Sequence, residues 1–205
     1  MKHNLPILAA MSALAFGGAA SATTLTPVYA DCDAAVPAWN GTGVSCGAAN
    51  DATAVNSGLP DGSFYSIGRE TEGVTGVVVY ELDAPYSGDV TFFDAIDPAE
   101  GVVSEAADVF VAQADAFGDY DSSTAVYVGS LFSNSGIGQT LSIAGLFQFI
   151  YIQDATGVYF PQSNSLNGYD LDSIKFGEVP LPAAALLFPM GLAGLSFMRR
   201  RRVTG

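Results

Sequence analysis

Carboxylates are the side chains best able to do chemistry in this chain, because most other reactive groups are scarce. The 205 residues include 21 acidic residues, seven basic residues and one histidine, His3. No histidine follows residue 22, which excludes Ser-His-Asp and Cys-His catalysis and histidine-ligated zinc from that part of the chain. A carboxylate pair remains possible, because glycoside hydrolysis needs only two acids. Among so many acids, closeness in sequence does not identify a pair, so no catalytic residue is predicted.

The two cysteines, Cys32 and Cys46, are 14 positions apart. In an oxidising compartment such a pair is typical of one disulfide. The bond would close a loop of about 15 residues and contribute about 3 kcal/mol on the chain-entropy model. A reactive thiol is not expected, because no basic residue lies nearby to lower its pKa.

Trp39 lies between the two cysteines in a loop rich in proline, glycine and asparagine. An exposed tryptophan can stack on a sugar ring, whereas a buried one covers the edge of a core. The buried position is the favoured prediction.

The structural elements that must position these groups lie between two terminal segments. The N-terminal segment is typical of a secretory signal peptide. Lys2 and His3 provide a basic start, residues 5–16 are mostly apolar, and residues 20–22 read Ala-Ser-Ala. This order predicts cleavage after Ala22. The alternative is a buried N-terminal helix, which the glycine pair at residues 17–18 disfavours.

The second terminal segment combines a short proline-rich motif, an apolar span and an arginine cluster. Its parts are Val179, Pro180, Leu181, Pro182 and Ala183, then the uncharged residues 181–198, then the four arginines at 199–202. An 18-residue helix is about 27 Å long, close to the roughly 30 Å hydrocarbon core of a bilayer. The arginines are expected to stay cytoplasmic.

This order resembles the VPLPA-CTERM variant of the PEP-CTERM sorting signal of Gram-negative bacteria. The resemblance implies an inner-membrane intermediate that an exosortase-type membrane protease recognises and cleaves. The prolines also favour an extended backbone, which suits a protease cleft. The alternative is an ordinary single-pass anchor, which the apolar span and the arginines fit equally well.

The segment between the signals, residues 23–179, is strongly acidic. It contains all 21 acidic residues but only Arg69 and Lys175 as basic residues, so its formal charge is −19. Such a surface repels nucleic acid and anionic membranes. It suits a divalent cation or a neutral polymer as partner, or it serves solubility alone.

Short segments rich in β-branched and aromatic residues predict strands. They are residues 64–67, 74–82, 90–93, 108–112, 125–132, 139–143, 146–153 and 171–176. Glycine, aspartate, asparagine, serine and proline separate them. Residues 147–152 are apolar on both faces, as expected of a central strand. Residues 100–107 are predicted to form one helical turn. The chain is therefore predicted to be all-β, with a β-sandwich domain.

Four motifs in this order resemble a known family. They are residues 58–68 (GLPDGSFYSIG), 76–82 (GVVVYEL), 147–154 (FQFIYIQD) and 168–175 (GYDLDSIK). They are similar to the discoidin-like, galactose-binding jelly roll. The resemblance implies a jelly-roll β-sandwich over about residues 45–178. The exposed cluster of aromatic residues and arginine that galactose-binding members use is not recognisable here.

The resemblance also implies a calcium site that joins an N-terminal loop to the end of the last strand. The candidate ligands are Asn50, Asp51, Asp61, Asp172 and Glu178. Carboxylates, amides and carbonyls are the oxygen ligands that calcium prefers. The alternative is that these residues form turns and solvated strand positions.

Together these observations predict four parts: a signal peptide at 1–22, an N-terminal loop region with the disulfide at 23–44, a β-sandwich at 45–178 and the sorting signal at 179–205. The leading hypothesis is a non-catalytic protein of the cell surface or extracellular matrix that binds polysaccharide, with calcium as a possible cofactor. One alternative is a carboxylate-based polysaccharide hydrolase, which a paired-acid cleft lined by aromatics would favour. The other is a structural protein of the matrix.

Overall fold

A computed structural model describes residues 23–40, 44–70, 74–95, 104–133, 138–165 and 167–177 of the chain. All of them belong to one unit, Ala22–Val179. The predicted signal peptide, the sorting motif, the apolar span, the arginine cluster and Glu178 lie outside the described residues and stay predictions. Within the described ranges, no helix is both long and apolar enough to cross a membrane.

β-Strands make up nearly all of the regular structure. In chain order they are β1 (Leu25–Ala30), β2 (Val44–Ser45), β3 (Tyr65–Ser66), β4 (Arg69–Glu70), β5 (Val77–Asp94), β6 (Ala106–Ala112), β7 (Val126–Phe132), β8 (Gln139–Asp154) and β9 (Asp170–Phe176). The described helices are two short 3-10 turns, Ala52–Ala54 and Ser122–Thr124, and the single-turn α1 (Thr156–Tyr159). The predicted all-β class is confirmed for this part of the chain.

Two long strands, β5 and β8, each bend and take part in two layers. The register between them shifts between Glu81 and Tyr86 and again between Tyr86 and Gly88. Gly88 has φ +129 and Gly145 has φ +91, backbone conformations that favour glycine at these bends. Strands that switch layers through such irregularities form the corners of β-sandwiches.

We call the two layers front and back. The front layer runs β1, residues 77–82 of β5, residues 147–154 of β8, β6 and β7. The back layer runs residues 139–143 of β8, residues 88–94 of β5, β9 and β3. β2 and β4 form a separate two-stranded sheet.

A buried apolar core lies between the two layers. Val78 and Tyr80 of the front layer share one cluster with Val90, Phe92 and Ile174 of the back layer. All five side chains are 0% exposed. Because alternate residues of each strand point into this cluster, the predicted β-sandwich is confirmed.

Three local predictions are wrong. Residues 25–30 were expected in a loop region but form β1, an edge strand on which Pro27 is tolerated. The segments 74–82 and 90–93 belong to one bent strand, as do 139–143 and 146–153. The helical turn predicted at 100–107 is absent from the described residues 104–107, because Ala106 and Ala107 begin β6, where both side chains are buried.

Candidate functional site

The predicted disulfide between Cys32 and Cys46 is confirmed. The two sulfur atoms are 2.04 Å apart and the two Cα atoms 5.5 Å apart. The backbone N–H of Cys32 donates to the hydroxyl of Tyr65 at 3.0 Å, and burial raises the pKa of Tyr65 far above its ordinary value. The Cys32–Cys46 disulfide therefore attaches the loop that carries Trp39 to the core of the domain.

The described acidic residues predicted as calcium ligands, Asp51, Asp61 and Asp172, accept hydrogen bonds from backbone N–H groups. The Asp172 carboxylate accepts hydrogen bonds from the backbone N–H groups of Asp61 and Gly62 at 3.2 and 3.1 Å. The Asp51 carboxylate accepts one from the backbone N–H of Thr53 at 2.9 Å and caps a 3-10 turn. Each carboxylate thus already has a role in holding a turn.

Asn50, the remaining described candidate, is exposed. In the described part of the chain, no three histidine, cysteine, aspartate or glutamate residues are close enough to hold a metal ion. Of the predicted ligands, the structure brings Asp61 and Asp172 together, and calcium binding stays a prediction.

An aromatic row crosses the outer face of the front layer. Tyr29 on β1 pairs with Val79 on β5, Val79 pairs with Tyr151 on β8, Tyr151 with Phe110 on β6, and Phe110 with Tyr127 on β7. The sequence neighbours of the three central residues point into the core, so the row itself faces outward. Five strands about 4.8 Å apart give the row a span of about 19 Å. We call the four aromatic residues of this series, Tyr29, Tyr151, Phe110 and Tyr127, the aromatic row; Val79, which lies between Tyr29 and Tyr151, is fully buried.

Trp39 packs on the β1 end of the aromatic row. Its ring centroid lies 5.2 Å from that of Tyr29, 5.3 Å from that of Tyr120 and 6.0 Å from that of Tyr151, all edge to face. Trp39 is 36% exposed. The buried position favoured from the sequence is therefore wrong, because Trp39 covers a second apolar cluster on the outer face and keeps part of its ring in solvent.

Hydrogen bonds hold the Trp39 loop against the sheet. The backbone N–H of Asn40 donates to Asp31 Oδ1 at 2.7 Å, and its side-chain amide donates to the carbonyl of Thr75 at 2.9 Å. The other Asp31 oxygen accepts from the backbone N–H of Val77 at 3.1 Å. The tryptophan is thus positioned before any ligand arrives.

A polar cluster lies beside the other end of the aromatic row. Asp108 on β6 pairs with Ser130 on β7, and the Ser130 hydroxyl donates to Asp108 Oδ1 at 2.6 Å. The Tyr159 hydroxyl donates to the same oxygen at 3.2 Å, and the Tyr127 hydroxyl lies 2.7 Å from Ser130 Oγ. Asp108 Oδ2 has no hydrogen-bond partner among the described residues. We call these four residues the Asp108 cluster.

The two tyrosine rings of the Asp108 cluster are exposed, and further aromatic rings lie beside them. Tyr127 is 52% exposed and Tyr159 40% exposed. Phe132 packs edge to face on Tyr159 at 5.2 Å and on Phe160 at 6.1 Å between centroids. Aromatic surface therefore continues from the row to helix α1, with a carboxylate oxygen accessible within it.

An acidic cleft of about 200 Å³ opens at the opposite end of this face. Tyr29, Tyr120 and Phe149 line it together with two acids, Glu81 and Asp119. Glu81 is partly buried on β5, whereas Asp119 is exposed in a turn between β6 and β7. A cleft lined by acids and aromatics is the feature that would favour the hydrolase alternative.

The electrostatics of the outer face are set by carboxylates and neutral tyrosines. Burial raises the pKa of Tyr151 to about 12 and also raises that of Tyr120, so both hydroxyls stay protonated at neutral pH. The Arg69 guanidinium is engaged elsewhere, donating to the carbonyls of Ser163 and Ser165. Lys175 lies on β9 in the back layer. In the described ranges, the outer face of the front layer therefore has no basic side chain.

Comparisons with known proteins find only distant similarities. No protein-family model matches it, and no curated protein matches it in sequence. The solved structures similar to it include SpGH29, at 15% identity and a TM-score of 0.45, where the match covers 78% of this chain and 28% of the other. They also include chitosan-binding module 1 of a chitosanase/glucanase from Paenibacillus sp. IK-5, at 12% identity and a TM-score of 0.42, covering 76% and 94%. The CBM32 of AlyQ, solved with 4,5-unsaturated mannuronic acid, matches at 10% identity and a TM-score of 0.42, covering 65% and 89%.

The sequence did not single out the residues of the aromatic row or of the Asp108 cluster. The sequence did contain one indication of this outer surface. Residues 147–152 are apolar on both faces, although only one face of a β-sandwich strand lines the core. The second apolar face is the one on which Trp39 and Tyr120 pack.

Proposed function

We propose that this chain is an exported, non-catalytic β-sandwich that binds a polysaccharide on the outer face of its front layer. The observation that carries the proposal is the aromatic row with the Asp108 cluster beside it. Aromatic rings offer flat apolar surface on which a sugar ring can stack, while hydroxyl and carboxylate groups bind sugar hydroxyls. A disulfide is typical of an oxidising compartment, which supports export.

The site is held in place without a ligand. Edge-to-face ring contacts connect Trp39 to Tyr151, Tyr151 to Phe110 at 5.4 Å, and Phe110 to Tyr127 at 5.5 Å. Preorganised side chains lose little conformational entropy on binding, which favours affinity. The formal charge of −19 on residues 23–179 disfavours nucleic acid as the extended partner. The finer assignment to a galactose-binding type of jelly roll remains part of this proposal.

The test is a binding titration of residues 23–179 against soluble polysaccharides. Trp39 is the chain's single tryptophan, so its fluorescence reports on the proposed face. Tyr127→Ala should weaken binding about tenfold, because it removes an exposed stacking ring and a hydroxyl of the Asp108 cluster. Phe93→Ala is the matched control, because Phe93 lies on a back-layer strand next to the core residue Phe92 and faces away from the core.

Two outcomes would contradict the proposal. Equal affinities of the wild type and Tyr127→Ala would place binding elsewhere, and an absence of binding to any polysaccharide would favour the purely structural alternative. Circular dichroism of each variant shows whether it is folded.

The hydrolase alternative rests on the acidic cleft with Glu81 and Asp119. Its volume of about 200 Å³ is below the roughly 300–1,000 Å³ usual for ligand pockets, and Asp119 lies in an exposed turn rather than on a strand. We therefore rank it second. Release of reducing ends that stops in Glu81→Gln would reverse that order.

A further inference from the structure

The proposed binding face is acidic as well as aromatic. Asp108 lies at one end of it, and Glu81 and Asp119 lie in the cleft at the other end. The basic residues of residues 23–179, Arg69 and Lys175, lie elsewhere. An anionic polysaccharide such as a polyuronate would be repelled here, whereas a polymer with positive charges would gain attraction in addition to stacking.

The Asp108 cluster has the arrangement that an ammonium group requires. Ser130 and Tyr159 donate to Oδ1 of Asp108, so that oxygen is occupied while Oδ2 is not. The exposed rings of Tyr127 and Tyr159 flank the carboxylate. An ammonium group has three donors and no acceptor, so it can bind Oδ2 and also lie over an aromatic face. A sugar hydroxyl can bind the same oxygen but brings no charge to it.

We propose that the polysaccharide bound by this face carries protonated amino groups, and that Asp108 is the residue that selects them. This inference rests on the proposed function, since it names the ligand class of the same site. It also assigns distinct roles within the site, because the rings bind the sugar backbone whereas Asp108 discriminates among substituents.

The test uses three hexamers with the same β-1,4 backbone, made of glucosamine, N-acetylglucosamine or glucose. They differ at carbon 2, which carries an ammonium, an amide or a hydroxyl group in mildly acidic buffer. Titration of residues 23–179 should show about tenfold tighter binding of the glucosamine hexamer than of the other two. Added salt should reduce that difference, because exposed charge attraction is screened.

Two variants distinguish the effect of Asp108 on binding from the effect of the protein's net charge. Asp108→Asn should abolish the preference for the glucosamine hexamer over the glucose hexamer, so that the ratio of the two affinities falls to about one. Asp83→Asn is the matched control, because Asp83 is an exposed acid at the bend of β5 and its loss changes the net charge equally.

The outcomes distinguish this inference from the proposed function. Equal affinities for all three hexamers, or an equal loss of preference in Asp83→Asn and Asp108→Asn, would overturn the inference and leave polysaccharide binding in place. If none of the hexamers and no longer polysaccharide binds, the proposed function fails and the inference fails with it. A preference that Asp108→Asn alone abolishes supports both.

Discussion

At the scale of single residues, Asp154 is a buried carboxylate whose pKa is shifted by its surroundings. It ends β8 and is 1% exposed. Its Oδ1 accepts hydrogen bonds from the Thr156 hydroxyl at 2.7 Å and from the backbone N–H of Tyr169 at 3.1 Å, while Oδ2 has no partner among the described residues. Burial raises the pKa of Asp154 from 3.8 to about 6, although these hydrogen bonds and the charge of Arg69 oppose the shift.

This raised pKa predicts a pH dependence of stability. Between pH 3.8 and about 6 the folded state retains a proton on Asp154 that the unfolded chain has released. The contribution of Asp154 to the free energy of unfolding is therefore fully present below pH 3.8 and is lost as the pH rises through 6. A shift of two pKa units corresponds to about 2–3 kcal/mol.

Asp154→Asn removes that titration and serves as the comparison. Urea unfolding at several pH values should show the wild type losing about 2–3 kcal/mol relative to the variant as the pH rises from about 4 to about 7. Other acids affect both proteins alike, so the difference between the two curves isolates Asp154. If the free energies of unfolding of the two proteins changed in parallel with pH, the pKa of Asp154 would not be raised in the folded state.

At the scale of elements, the strand segments were predictable but their connections were not. Residues 83–87 include alanine, proline and serine and resemble a turn, so the pattern predicted two strands where β5 continues around a bend. Local periodicity reports which face of a strand is apolar, but it does not distinguish a turn from a corner that leads into the other layer. β1 was missed because Pro27 interrupts its short pattern.

The candidate site was less predictable than the fold, because it exists only after the strands pair. Tyr29, Tyr151, Phe110 and Tyr127 come from four strands that are far apart in the chain, and their alignment depends on register. A shift of one residue would turn each ring toward the core. The disulfide, by contrast, was predictable from two cysteines and a compartment.

The contacts between β9 and the loop at residues 61–62 make the calcium prediction testable. If Asp61 and Asp172 bind the ion, millimolar calcium should raise the melting temperature more than magnesium at equal ionic strength, because weak extracellular sites bind at about 10⁻⁴ to 10⁻³ M. An ion that binds only the folded state stabilises that state by about 2.7 kcal/mol when its free concentration is one hundred times Kd. Asp61→Ala should remove this excess.

Magnesium is the essential control, because any divalent cation screens the 21 acids. Equal melting shifts in the two ions, unchanged in Asp61→Ala, would mean that Asp172 serves only to hold the backbone N–H groups of Asp61 and Gly62.

At the scale of the whole molecule, charge divides the chain into parts with different partners. All 21 acids lie within residues 23–179, whereas five of the seven basic residues lie in the terminal segments. We propose that the termini direct transport through a membrane while the middle segment works outside the cytoplasm, and this charge division is one basis of that proposal. The described residues end at Gly177, and the proline-rich motif begins at Val179 in the sequence.

The sorting prediction therefore concerns the complete chain in its native host. We expect the mature protein to begin at Thr23 and to lack the residues beyond about Ala183, because the prolines of the motif at residues 179–183 favour the extended backbone that a protease cleft binds. Intact-mass measurement of the protein from cell-surface and membrane fractions gives both ends at once.

Replacing Pro180 and Pro182 with alanine should leave the tail attached and the protein in the membrane fraction, whereas Pro60→Ala, outside the motif, should be processed normally. Recovery of wild-type protein that still carries Arg199 to Arg202 would instead identify the tail as an ordinary membrane anchor.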